Sequence, residues 1–228
     1  MRYGGHDAKV CALAEKGLSL WFLGDVEGAV ESLRRAQLWA EEINHLGSKC
    51  HALEIAITHE YFRDDHQGVI RLAEKMRAFS VEYDLPAWEA KSLIYDGWAQ
   101  GVIADAATGL TQLEQGLTRQ REIGTEEDLP IFLEMRARLL GLLGQFHEAI
   151  NTLSQAIEHA SRTGDVFWLP ELYRRRGLLH AQAQNRTELI EADLAAAGEL
   201  ARQQGATTLE ARAAADIKLL REVQSTGD

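Results

Sequence analysis

Cysteine, proline, basic clusters and long apolar runs are all scarce in this chain, and each scarcity removes a class of protein. Only Cys11 and Cys50 occur in 228 residues, so no disulfide framework is implied and free thiols in a reducing compartment are expected. Lysine and arginine number 24 against 35 acidic residues, a net charge of −11. No Lys/Arg cluster interrupts that surplus, so the footprint for nucleic acid or an anionic membrane surface is missing. No apolar run approaches the ~20 residues that span a bilayer, and Met1 to Asp7 lacks the regions of a secretion signal; the expected location is the cytoplasm. Sustained polar/apolar alternation and Asn-Gly or Asp-Gly hairpin turns are absent too, which makes the chain all-α. The three prolines, Pro86, Pro130 and Pro170, each stand just before a long amphipathic stretch, where a fixed φ suits the first turn of a helix.

What is present is a globular composition, 46% hydrophobic and 26% charged, written as a repeat. Leu23-Gly24-Asp25-Val26-Glu27-Gly28-Ala29 returns as Leu143-Gly144-Gln145-Phe146-His147-Glu148-Ala149, 120 residues or three units of 40 later. Intermediate copies fall at Arg63 to Gly68 and Ala104 to Gly109, with a weaker fifth at Gln184 to Leu189, giving steps of 39, 41, 40 and 40. In this register Gly17, Ala56, Gly97, Ala137 and Gly177 align upstream of the turn. Leu33, Leu72, Leu113 and Leu153 align downstream, followed by Ala36, Gly116, Ala156 and Ala196, with Lys75 breaking the last series. Small residues recur where two helices touch, and short links force antiparallel neighbours. The expected architecture is a right-handed α-solenoid, one domain over 1–228. Five helix pairs are placed near 7–46, 47–85, 86–124, 125–164 and 165–204, with a polar capping helix at 205–223, as an array end requires.

The small residue within the first helix, the small residue after the turn, and the Leu and Ala of the second helix resemble the tetratricopeptide pattern, although the unit is nearer 40 than ~34 residues. Tyr3-Gly4-Gly5-His6-Asp7 with Cys11-Ala12, Leu23-Gly24, Gly97-Trp98-Ala99, Glu171-Leu172 with Arg175-Arg176-Gly177, and Gly205-Ala206 with Leu209-Glu210-Ala211-Arg212-Ala213-Ala214 carry a narrower resemblance. It is to the C-terminal long-repeat region of bacterial multidomain predicted ATPases and class III adenylate cyclases. That resemblance implies a regulatory module with an ATPase or cyclase domain as partner. A Gly-Lys-Ser/Thr phosphate loop is nowhere in the sequence, so the chain reads as a fragment of such a protein or a free-standing relative.

Chemistry finds little support. His59-Glu60-Tyr61-Phe62-Arg63 begins like a zinc-protease helix, but Arg63 stands where the second histidine ligand is needed. Asp7, beside His6, is better used as an N-cap than as a metal ligand. His45, His51, His59 and His66 lack the adjacent-turn spacing of a ligand pair. Cys11 and Cys50, 39 apart, read as equivalent positions too distant to bridge. No catalytic residue, metal or cofactor is expected.

The expected site is therefore the groove along the first helices. Its positions are Leu18 and Trp21, Leu53 and Ile57, Ile94 and Trp98, then Glu134 and Arg138, Glu171 and Arg174: apolar at one end, charged at the other. Two tryptophans beside branched aliphatics would make an anchor pocket; the competing reading packs the same residues between helices. A carboxylate clamp lacks the necessary Asn residues. The function expected is a non-catalytic scaffold or regulatory module holding a peptide, helix or neighbouring signalling domain. The alternative is a bacterial small-effector sensor. An empty apolar groove would also draw a second copy into a weak homodimer.

Overall fold

The computed structural model describes residues 5–226, with side chains described to residue 222; Tyr3, Gly4 and the side chain of Val223 lie outside the described residues. The chain is an all-α helical repeat. Five helix pairs follow one another: α1 (Ala8–Phe22) with α2 (Val26–Glu42), α3 (Leu46–Phe62) with α4 (His66–Glu82), and α5 (Pro86–Ile103) with α6 (Ala106–Ile123). Next come α7 (Leu129–Leu142) with α8 (Phe146–Thr163) and α9 (Leu169–Gln182) with α10 (Thr187–Gln204), then a final α11 (Thr207–Thr226). Pro86, Pro130 and Pro170 each occupy a first-turn position. No helix among the described residues is long and apolar enough to cross a membrane.

Local chemistry sets the period. Asp7 caps α1, its carboxylate accepting from the Lys9 and Val10 backbone N–H groups. Asp25, Asp65 and Asp105 cap α2, α4 and α6, accepting from the N–H of Gly28, Gly68 and Thr108. These three caps lie 40 residues apart, and each satisfies a donor that the helix leaves without an internal partner. The links between pairs turn through the left-handed region at Asn44, Asp84, Gly124, Gly164 and Gly205, residue types that tolerate it. Within pairs Gly24, Asp64, Gly144 and Gln184 do the same, whereas Ala104 stays at φ −129°.

These turns correct the sequence register. The step is 40 through the first four units, with one residue inserted in the fifth. Asp64, and not Arg63, is the counterpart of Gly24. The residue in register with Ala36 is the buried Met76 and not Lys75, and the buried Ala73 stands in register with Leu33. Ile57, at 0% exposure, stands where Gly17, Gly97, Ala137 and Gly177 stand, and Ala197 replaces Ala196 in the fifth unit.

The helices gather into two compact units, one ending at Glu126 and one beginning at Glu127. In the first, α1 packs on α2 and α3, α3 on α4, α4 on α5, and α5 on α6. In the second, α9 packs on α7, α8, α10 and α11. The α5/α6 crossing is the tightest. A Cβ on Gly109 would lie 2.3 Å from the Gly101 Cα and 2.4 Å from the Gly97 carbonyl oxygen, so only hydrogen fits. Gly198 of α10 differs, since its Cβ would meet only Ala213 Cβ, at 3.9 Å.

Gly109→Ala should lower unfolding free energy by about 1–3 kcal/mol through forced separation of two backbones. Gly198→Ala should raise it by about 0.5–1 kcal/mol through helix propensity. Urea unfolding of both variants checks the pair of signs.

Candidate functional site

The expected site residues divide sharply. Leu18 and Trp21 are 5% exposed, Leu53 is 4% exposed, and Ile57, Ile94 and Trp98 are fully buried. The Trp21 ring meets Phe22 at 5.1 Å and Phe62 at 5.4 Å, and the Trp98 ring meets Tyr61 and His66 at 5.0 Å. These residues are helix packing, and the anchor-pocket reading is corrected: apolar side chains at helical spacing look the same facing a ligand or a neighbouring helix, and here neighbouring helices cover them. The ground for a second copy of the chain, an open apolar groove, goes with it.

Glu134, Arg138, Glu171 and Arg174 are brought together by the packing of α7 on α9. Glu171 and Arg174 lie three residues apart on one face of α9, the spacing that lets side chains meet. Arg174 donates two parallel hydrogen bonds to Glu171, Nε to Oε2 at 2.7 Å and an outer nitrogen to Oε1 at 2.6 Å. Its other outer nitrogen donates to Asp216 Oδ2 of α11 at 2.6 Å. Arg175 Nε donates to Glu171 Oε1 at 2.7 Å and sits 3.3 Å from Glu134 Oε1. Arg138 Nε is 4.0 Å from the same Glu134 oxygen. The network thus ties α7, α9 and α11 together.

Burial sets its electrostatics. Burial pushes the Glu171 carboxyl up, but the charges of Arg174 and Arg175 and the Arg174 hydrogen bonds outweigh it and hold that carboxyl well below the usual range. Burial likewise pulls Arg174 down, and Glu171 with Asp216 more than restores its charge. The side chains of Glu134 and Glu171 are 0% and 1% exposed, against 17% for Arg138, 16% for Arg175 and 21% for Asp216. Carboxylates lie beneath and the solvent edge is Arg138, Arg175 and Asp216. Such an edge can hydrogen-bond and pair with charge. A second cluster braces α8, α9 and α10: Arg176 holds Asp193 at 2.7 and 2.8 Å and reaches Ser154 at 3.1 Å.

In the first unit the equivalent helices bury the ion pair of Lys91 with Glu54. Both cysteines are free, and burial together with Glu54 pushes the Cys50 thiol up to about 12. The spacing of Glu171 to Arg174 and Arg175 was a sequence signal for the network; the part played by Asp216 had none, since it requires α11 to lie against α9.

No protein-family model matches the chain. It is 38% identical over 211 residues to an uncharacterized protein of Rhizobium meliloti (strain 1021), an alignment covering 92% of this chain and 20% of that protein. The chain therefore spans about a fifth of the relative's length. Among solved structures, the apo form of RapI superposes with a TM-score of 0.60 at 12% identity, covering 96% of this chain and 86% of RapI. At that identity the likeness establishes the fold, a helical repeat domain.

Trp98→Ala should cost about 3–5 kcal/mol, as a packed aromatic does, whereas a groove residue would cost little; chemical unfolding separates the two. Glu171→Gln should cost about 3 kcal/mol near neutral pH by leaving Arg174 buried against a neutral amide. Because the folded carboxyl titrates below its ordinary value of 4.5, its stabilisation is complete above that value and is lost as pH falls through the folded one. The gap in melting temperature between wild type and Glu171→Gln should therefore narrow progressively below pH 4.5.

Proposed function

We propose that the chain is a non-catalytic binding module that holds a polar segment of a protein partner along the first helices of its second unit. The observation that carries this reading is the solvent edge of the buried network. Arg138 and Arg175 lie against the buried Glu134 and Glu171 carboxylates and Asp216 is held by the buried Arg174 guanidinium, so donors and an acceptor are presented in fixed geometry. Preorganised charged groups of this kind favour recognition through hydrogen bonds and charge complementarity. The partner segment would bring at least one carboxylate to the two guanidinium groups.

The span supports a modular role, since the Rhizobium meliloti relative is about five times longer than the aligned region. The resemblance to the repeat region of ATPases and cyclases makes a neighbouring signalling domain the partner of first choice. Regulation follows if that domain is held differently in its active and inactive states.

The test is capture from the native cytoplasm by the intact chain and by Arg138→Gln, with circular dichroism confirming that both are folded and with exposed Arg34→Gln of α2 as control. The expected result is a retained protein whose binding weakens about tenfold or more in Arg138→Gln, the scale of a lost charged hydrogen bond, and is unchanged in Arg34→Gln. Equal retention by all three places the site elsewhere. Capture of no protein, with a melting-temperature rise in a small-molecule panel, replaces this reading with the effector sensor.

A further inference from the structure

The 40-residue register makes His51, and not Cys50, the repeat counterpart of Cys11. The two occupy the same position on successive first helices, α1 and α3, which pack on each other. Glu15 lies one turn beyond Cys11 on the same face of α1, the four-residue spacing that brings side chains together. Cys11 Sγ, a Glu15 carboxylate oxygen and a His51 ring nitrogen all lie within 4.8 Å of one another, with Glu15 Oε1 3.7 Å from His51 Nε2. From these contacts we propose that Cys11, Glu15 and His51 form a binding site for a divalent transition-metal ion of the zinc type, bridging the first two repeats.

Donor chemistry selects the ion. Thiolate, imidazole and carboxylate together suit zinc or a similar first-row metal, whereas calcium and magnesium take oxygen donors. Around a tetrahedral ion, metal–sulfur distances of about 2.3 Å and metal–nitrogen distances of about 2.0 Å place donors about 3.5 Å apart. The set must therefore close by about 1 Å at its widest, and the Glu15 side chain, 53% exposed, has room to turn. His51 is fixed, being 8% exposed. The His6 ring lies on that of His51 at a centroid distance of 3.9 Å and meets the Trp88 ring at 6.4 Å. The segment carrying His6 is tied to α3 by the Asp7 N–H, which donates to Ser48 Oγ at 2.7 Å. That placement orients His51 from outside the donor set, the role second-layer groups play in metal sites.

The ion takes the place of the thiol proton, so uptake releases a proton and strengthens as pH rises. Because the donors come from two helices, the ion binds the folded chain in preference to the unfolded one and stabilises it.

The test is titration of the intact, metal-stripped chain with cobalt(II), reading thiolate-to-metal charge-transfer absorption, followed by displacement with zinc. The expected result is one ion per chain, a charge-transfer band lost in Cys11→Ser and kept in Cys50→Ala, and affinity reduced at least about 100-fold in His51→Gln. Zinc should raise the melting temperature of wild type and of Cys50→Ala, and leave that of Cys11→Ser unmoved. Absence of the band at saturating cobalt, or a band that survives Cys11→Ser, overturns the proposal.

Discussion

A repeat can stack only if its two chain reversals fall at the same place in every copy, and here that constraint is met by a few turn and cap residues. Asp25, Asp65 and Asp105 start three second helices at a spacing of 40. Asn44, Asp84, Gly124 and Gly164 reverse the chain after α2, α4, α6 and α8 at the same spacing. With reversals locked, equivalent residues of successive first helices become neighbours wherever those helices pack, so the chemistry of the first-helix face is decided by residues 40 apart. Shifting one reversal by a residue would rotate a helix by about 100° and move its buried stripe toward solvent.

The same rule explains why polar groups recur on buried first-helix positions. Position 14 is Ala, position 54 Glu, position 94 Ile, position 134 Glu and position 174 Arg. Three of these five are buried charges held in ion pairs, Glu54 by Lys91, Glu134 by Arg175 and Arg174 by Glu171. An ion pair taken out of water adds little net stability against a well-packed apolar pair, and removing one partner is costly. Such pairs suit selection for register and for a fixed charged surface better than selection for stability alone. The Cys11, His51 and Lys91 series shows the alternative outcome, in which one ladder position carries three different chemistries.

Much of the fold was legible in the sequence. The all-α class, the helix pairs, the three proline starts and the Asp7 cap all follow from local rules. The register is legible too, in the three capping aspartates, whereas the glycine pattern runs one residue out of step in the second repeat. Glycine marks only some of these turns, because Asp and Asn enter the left-handed region readily. The slip by one residue made Lys75 look like an exception and paired Cys11 with Cys50. For the candidate site, the meeting of Glu171 with Arg174 and Arg175 was legible in their spacing along one helix. Trp21 and Trp98 do not face outward, because a hydrophobic side chain at helical spacing looks the same whether it meets a ligand or the next helix. Asp216 and the approach of Cys11 to His51 depend on which helices touch, which no single-helix pattern contains.

The proposed partner-facing surface is that of the first helices of the second unit. Its most direct test is amide hydrogen exchange of the intact chain, alone and with a saturating amount of the retained partner. Slowed exchange in α7 and α9 around Arg138 and Arg175, with α8 and α10 unchanged, is the predicted result; slowing confined to α8 and α10 would contradict it.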